Sequence, residues 1–183
     1  MRIKQLGDPI LRQVSQPIAI EDIPSESIQS LLAKMKDILN GIKQISDENG
    51  NAISAPQSGM AVRMILLRIE GKFVPMLNPQ ITARSEQTFE FEEECFSFYN
   101  LRAKVTRFYH VNVSYLDENG QTHSREMRGE FAGLVQHEID HLDGVFFLDR
   151  VTNKSALESV DHLLRNDPQR LKTVKQMMDY MAG

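Results

Sequence analysis

Six consecutive residues, Gln136-His137-Glu138-Ile139-Asp140-His141, constrain this chain more than any other stretch. His137 and His141 stand four apart, so on an α-helix both imidazoles lie on one face and reach a single metal ion. Glu138 is turned about 100° from His137 around the same helix. That puts it beside the ion, where it can handle a proton of the water the ion activates. The pattern H-E-x-x-H therefore reads as a hydrolytic metal site. The alternative is two solvent-facing histidines on an ordinary helix. With only five histidines in the chain, that requires a coincidence of both the spacing and the intervening glutamate.

The helix carrying these residues is predicted from about residue 130 to 142, with Gly144 placed to end it. Phe131, Leu134, Val135 and Leu142 form an apolar stripe that should pack it on a sheet. Upstream, Ile28, Leu31, Leu32, Met35, Ile38, Leu39 and Ile42 recur with helical spacing. They predict a helix near 25–42, capped by Ser25, with Gly41 near its end. Between the two helices the period changes. Residues 62–69, 73–77, 80–91 and 105–116 are rich in β-branched and aromatic side chains. Asp117-Glu118-Asn119-Gly120 is a turn signal joining the last of these to 121–127 as a hairpin. A final amphipathic helix is predicted over about 168–181, with Pro168 at its first position and Leu171, Val174, Met177, Met178 and Met181 apolar. Strands gathered between helices predict an α+β fold: a mostly antiparallel sheet packed on a central metal-binding helix, with N-terminal and C-terminal helices. At 183 residues the chain is expected to form one domain, 1–183.

Composition excludes several function classes. A net charge of −4 gives no basic footprint for nucleic acid. No apolar stretch approaches the ~18 residues of a membrane span, and the N-terminus leads into no signal-like apolar run. The single cysteine, Cys95, excludes an internal disulfide framework, so a reducing cytoplasm is the expected compartment.

Two histidines are an incomplete site, because a catalytic zinc-like ion usually takes three protein ligands. Cys95 is the leading candidate for the third. It lies in Glu92-Glu93-Glu94-Cys95-Phe96-Ser97 at the end of a predicted strand. A buried inert thiol is the alternative. His110, His123 and His162 fall in strand, hairpin and late helical contexts, where they pack or face solvent. A third segment, Gly50-Asn51-Ala52-Ile53-Ser54-Ala55-Pro56-Gln57-Ser58-Gly59, is a loop of small residues that a ligand could approach closely. Gln57 could donate an amide hydrogen bond to a developing oxyanion. The loop lacks a phosphate-loop lysine, which excludes a nucleotide reading.

These three segments, in this order, resemble the peptide deformylases, whose motifs have the forms G-x-G-x-A-A-x-Q, E-G-C-x-S and Q-H-E-x-D-H. Gly7-Asp8-Pro9-Ile10-Leu11-Arg12 also looks like that family's N-terminal segment, and the resemblance extends to about Arg150. It implies removal of the formyl group from N-formylmethionine at the start of nascent polypeptides, in the cytoplasm or an organelle. It also implies roles residue by residue. Cys95, His137 and His141 would bind one divalent ion, Fe²⁺ in vivo, with Zn²⁺, Ni²⁺ or Co²⁺ able to occupy the site. Glu138 would be general base and then acid, and Gln57 with the Phe96 N–H would hold the oxyanion. Arg102, Gly50 and Leu134 would help bind substrate.

Three positions depart from the family pattern: Ala52 for glycine, Ser54 for alanine, and Glu94 for the glycine before the metal cysteine. Glu94 is the consequential one. Pointing into the groove, it would narrow it and disfavour acidic substrates; pointing to solvent, it would be nearly neutral. It is the marker for a second reading, a related metal amidase with another acyl or peptide substrate. A third reading is a non-catalytic, metal-binding or ribosome-associated protein, against which the retained general base argues. In the family the C-terminal segment can help dock on the ribosome. Here Arg170, Lys172 and Lys175 make the last helix mildly basic, and a solvated face is the favoured reading.

Overall fold

The computed structural model describes residues 2–183. The first long helix, α1 (Glu26–Ile45), starts where the Ser25 hydroxyl accepts a hydrogen bond from the Ile28 N–H. All seven residues of its predicted apolar stripe are buried. Gly41 does not end it. A Cβ there would lie 2.0 Å from the Tyr180 hydroxyl, so the glycine makes room for a ring from the C-terminal helix.

The chain then enters two antiparallel sheets. The larger is ordered β1 (Ala52–Ser54), β2 (Met64–Ile69), β3 (Lys72–Arg84), β6 (His110–Leu116), β7 (Thr122–Arg128). The smaller is β4 (Thr88–Glu94), β5 (Leu101–Phe108), β8 (Glu158–Ser159). Three sequence expectations change. The run 80–91 is divided by a turn in which Ser85 Oγ donates to the Gln87 carbonyl, so its halves belong to different sheets. The run 105–116 is divided at Tyr109, whose N–H bonds Gln87 and whose carbonyl accepts from Gly129. The small-residue loop contains a short strand, β1, whose Ala52 pairs with Leu67, followed by a 3-10 turn at Pro56–Ser58. The β6–β7 hairpin follows the sequence signal: Asp117 accepts from the N–H groups of Asn119 and Gln121, and Leu116 pairs with Thr122.

Helix α2 (Glu130–Leu142) runs between the sheets. Ala132, Val135, Ile139 and Leu142 pack on the larger sheet against Ile65, Leu67, Val111 and Val113. Phe131, expected in that stripe, is instead 43% exposed, because it sits at the helix start beyond the edge of this core. The other side of α2 is polar and buried. Short helices α3 (Phe147–Arg150) and α4 (Val160–Leu163) precede α5 (Pro168–Ala182), which packs on α1 through Val174, Met177 and Met181. Met178 is partly exposed rather than part of that face. Asp167 caps α5 by accepting from the Arg170 N–H.

The turn after α2 depends on Gly144, which has φ +71° and whose Cβ would lie 2.6 Å from the Arg12 carbonyl oxygen. Gly144→Ala is expected to lower the unfolding free energy by about 2 kcal/mol through backbone strain and this clash. A urea denaturation midpoint equal to that of the parent would contradict the assignment.

Candidate metal centre

Strand β4 ends at Glu94 and delivers Cys95 to the face of α2, where the chain turns into a short 3-10 segment, Phe96–Phe98. Cys95, His137, Glu138 and His141 are all at most 6% exposed. Ligand atoms of Cys95, His137 and His141 lie within 4.8 Å of one another, and Cys95 Sγ is 3.2 Å from His141 Nε2. Bonds of about 2.0–2.3 Å to a tetrahedral ion need ligand separations of this order. His110 and His123 instead pair with Glu126 and Asp117, and His162 lies in α4.

His137 is oriented from behind. Its Nδ1 lies 2.6 Å from Glu93 Oε2, which leaves Nε2 to face Cys95 and His141. Glu93 in turn takes a bidentate pair from Arg107, at 2.6 and 3.0 Å, and Arg107 Nη1 donates to Asp140 on α2 at 2.6 Å. Arg150 closes the chain on Asp140 from the partly exposed side. Burial would push the Glu93 carboxyl up, but hydrogen bonds from His137 and Arg107 hold it below its ordinary value. At the centre itself, Glu138 Oε2 and His141 Nδ1 are among the buried polar atoms without a hydrogen-bond partner among the described residues. Burial pushes the Glu138 carboxyl up to about 7. A cation beside it would draw that value down again and satisfy the charge. The donor set, the spacing and the unpartnered carboxylate all fit one divalent ion.

Gln57 is held by its carbonyl end. Ser54 donates to Gln57 Oε1 from its backbone N–H at 3.0 Å and from its hydroxyl at 3.1 Å. The amide nitrogen therefore points the other way, 3.5 Å from Cys95 Sγ and 3.3 Å from Ser97 Oγ. The Ser54 departure thus supplies a second anchor for the side chain read as an oxyanion donor. Ala52 is equally compatible, since it lies in β1 and has no positive φ. Gly50 does need its residue type: φ is +80° and a Cβ would lie 2.6 Å from the Leu39 carbonyl oxygen.

Gly50, Gln57, Glu94, Phe96, Leu134 and Glu138 all line one cleft of about 200 Å³, together with Cys95 and His137. Arg102 is not on its wall. It lies directly opposite Glu94 in the β4–β5 ladder and binds Glu94 Oε1 at 2.6 Å, on the border of an adjoining cavity. Glu94 therefore points neither across the metal site nor freely to solvent. Sequence reasoning missed Glu93, Arg107, Asp140 and Arg150 as a unit. The signal was in β5, where Ala103, Val105 and Arg107 share the inward positions and Arg107 alone of the three is not apolar enough to be there unaided.

Two imidazoles on one helical turn, a cysteine from a neighbouring strand and a buried glutamate beside them define the class of metal-dependent hydrolases. The chain belongs to the polypeptide deformylase family, which matches it over residues 1–157. It is 38% identical over 154 residues to the peptide deformylase of Treponema pallidum (strain Nichols), covering 84% of this chain and 90% of that one. Among solved structures it resembles the Met-Ala-Ser-bound peptide deformylase of Acinetobacter baumannii, with TM-score 0.72 and 29% identity over 81% of this chain and 96% of that one. It also resembles the inhibitor complex of the Plasmodium falciparum enzyme, with TM-score 0.73 and 28% identity over 97% and 99% of the two chains.

Two outcomes follow from the hydrogen bonds behind the centre. Glu93→Gln is expected to weaken metal affinity about 10- to 100-fold, read by competition with a chromogenic chelator, because it loosens the orientation of His137. Ser54→Ala should leave metal content unchanged and lower turnover about two- to fivefold, as one hydrogen bond to Gln57 is lost. Equal turnover in the two proteins would show that the backbone N–H alone fixes the amide.

Proposed function

We propose that this chain removes the formyl group from N-formylmethionyl peptides, releasing formate and a free N-terminus, with Cys95, His137 and His141 holding one divalent ion. The observation that carries this is the convergence on one cleft of those three ligand atoms, Glu138 and the Gln57 amide nitrogen. When bound, the ion lowers the pKa of water and polarises the formyl carbonyl. Glu138 takes the proton of the attacking water and later passes it to the leaving amine nitrogen. Gln57 Nε2 and the Phe96 N–H donate to the oxygen on which charge develops. Phe96 opens a 3-10 segment, so its N–H has no acceptor within that segment.

We read residues 1–183 as one catalytic domain, with Gly50 and Leu134 shaping the cleft and the Glu94–Arg102 pair at its polar end, where the following peptide residues leave. Fe²⁺ is the proposed native ion; a mixed thiolate and imidazole set also accepts Zn²⁺, Ni²⁺ or Co²⁺. No helix among the described residues is long and apolar enough to cross a membrane, and the reading places the protein in the cytoplasm with nascent chains as substrates. Arg170 and Lys175 on α5 face Glu48 and Asp161, so the basic character proposed for ribosome docking is partly neutralised within the chain. The marker of an altered substrate, Glu94, is engaged by Arg102. A binding-only role would leave the buried, unpartnered Glu138 carboxylate without a purpose.

The test is formate release from formyl-Met-Ala-Ser by protein prepared without oxygen and loaded in turn with Fe²⁺, Ni²⁺ and Zn²⁺. Release is expected, and Glu138→Ala should reduce it by a factor of about 100 or more with the ion retained. Absence of formate from protein carrying a stoichiometric ion would overturn the proposal.

A further inference from the structure

A second cavity, of about 640 Å³, lies across α2 from the cleft. The helix gives Leu134, His137 and Glu138 to the cleft, and Gln136, Ile139, Asp140 and Asp143 to this cavity. At about 100° per residue the two sets are centred roughly half a turn apart, and the two spaces share no wall residue. The remaining walls come mainly from the end of β3 and the end of β5. The volume is within the range that takes a small organic molecule, roughly 300–1,000 Å³.

Four arginines reach this cavity, and three of them are engaged within the protein. Arg63 pairs with Asp143 at 2.7 Å. Arg107 lies between Glu93 and Asp140, and Arg150 binds Asp140 as well. Three guanidinium groups thus face three carboxylates. Arg84 is the fourth, and it has no carboxylate within ion-pair reach among the described residues. Its guanidinium carbon lies 4.4 Å from the centre of the Phe108 ring instead. Phe108 is itself pinned to α2: its N–H donates to Gln136 Oε1 at 3.1 Å, and its carbonyl accepts from Gln136 Nε2 at 2.9 Å. The ring covers one face of the Arg84 guanidinium and leaves the N–H edges for an acceptor. A guanidinium stacked on a fixed ring is weakly hydrated and pre-organised for such a partner. Apolar surface lies in the same cavity, from Pro79, Ile81 and Ala83 on β3 and Ile139 on α2, and Ile81 is 37% exposed.

We propose that this cavity binds a small organic monocarboxylate, with the carboxylate on Arg84 and an apolar body against Ile81 and Ile139. The single uncompensated positive charge matches a single negative one. A phosphate monoester carries close to two charges at neutral pH, and the second would stand uncompensated among Asp140 and Asp143. The two oxygens of a carboxylate match the guanidinium fork in bidentate fashion. The apolar body separates this ligand from inorganic anions, because covering Ile81 and Ile139 lowers the free energy of the complex further. The metal ligands and Glu138 take no part in the site.

The test titrates 15N-labelled, Zn²⁺-loaded full-length protein with 4-phenylbutyrate, with its neutral amide and with inorganic phosphate, following backbone N–H shifts. The carboxylate should bind saturably with a Kd on the order of 1 mM, the affinity expected of a ligand of this size, and should shift Thr82, Arg84 and Phe108. The amide and inorganic phosphate should each bind at least about tenfold more weakly. Arg84→Gln should weaken the carboxylate by about tenfold or more with metal content unchanged, and Arg84→Lys, which keeps the charge and loses the planar fork, should fall between. Shifts confined to cleft residues such as Gly50 and Leu134 would show a carboxylate bound at the ion and overturn the proposal. An equal Kd in the parent and Arg84→Gln proteins would overturn it too, as would an amide or inorganic phosphate that binds as tightly as the carboxylate.

Discussion

The guanidinium of Arg107 is the point on which the arrangement of this molecule turns. It is 3% exposed and lies between Glu93, at the end of the strand that supplies Cys95, and Asp140, on the helix that supplies both histidines. Burial would push its pKa down, but the two carboxylates hold it up, and the charge is retained. Such a cluster is a weak source of net stability, because desolvation offsets most of the Coulomb attraction. Its consequence is geometric. Removing one partner leaves an uncompensated buried charge, which costs about 3–5 kcal/mol, so strand and helix are held in one relation to each other. Apolar packing seats α2 on the larger sheet through Ala132, Val135, Ile139 and Leu142. The ion triad fixes it relative to Cys95, and the Glu93–His137 bond carries the same constraint to the imidazole.

Much of this was legible in the sequence because the signals were periodic or chemically specific. The α1 stripe, the β6–β7 turn and the bounds of α2 each rest on spacing that only one local structure satisfies. The three ligand candidates were legible because a cysteine and two histidines have few other reasons to accompany a glutamate in this order. The illegible parts were those decided by tertiary context. Nothing in the run 80–91 distinguishes a continuous strand from two strands in different sheets; the turn at 85–87 uses serine and glutamine rather than glycine or proline. Gly41 looks like a helix end and is a packing site, because the difference is a tyrosine 139 residues away in the chain. Phe131 fits the apolar stripe by spacing and is exposed because the core stops short of it.

The departures from the family motifs show how local context sets the effect of a residue. Alanine replaces glycine at 52 in a strand with ordinary backbone torsions, where glycine would bring only additional freedom. Glycine stays at 50, where both the positive φ and the Leu39 carbonyl require it. Serine at 54 adds a donor to an amide oxygen already held by a backbone N–H, so the change reinforces an existing orientation.

Glu94 follows the same logic. A carboxylate inserted next to a metal cysteine would be expected to compete for the ion or to block the cleft. The β4–β5 register sets Arg102 directly opposite, and a cross-strand pair of opposite charge is the favourable arrangement for such neighbours. The arginine is 88% buried by side chain and its bond to Glu94 is 2.6 Å, so the carboxylate has a stronger partner than solvent within reach. One carboxylate oxygen is thereby held on the ladder by Arg102, while the residue still lines the cleft beside Cys95 and His137. A glycine at this position would leave Arg102 with only Glu92, at 3.7 Å and more exposed, and the guanidinium would then be free to move towards whatever occupies the cleft. Glu94 therefore holds Arg102 in place at the border of the adjoining cavity.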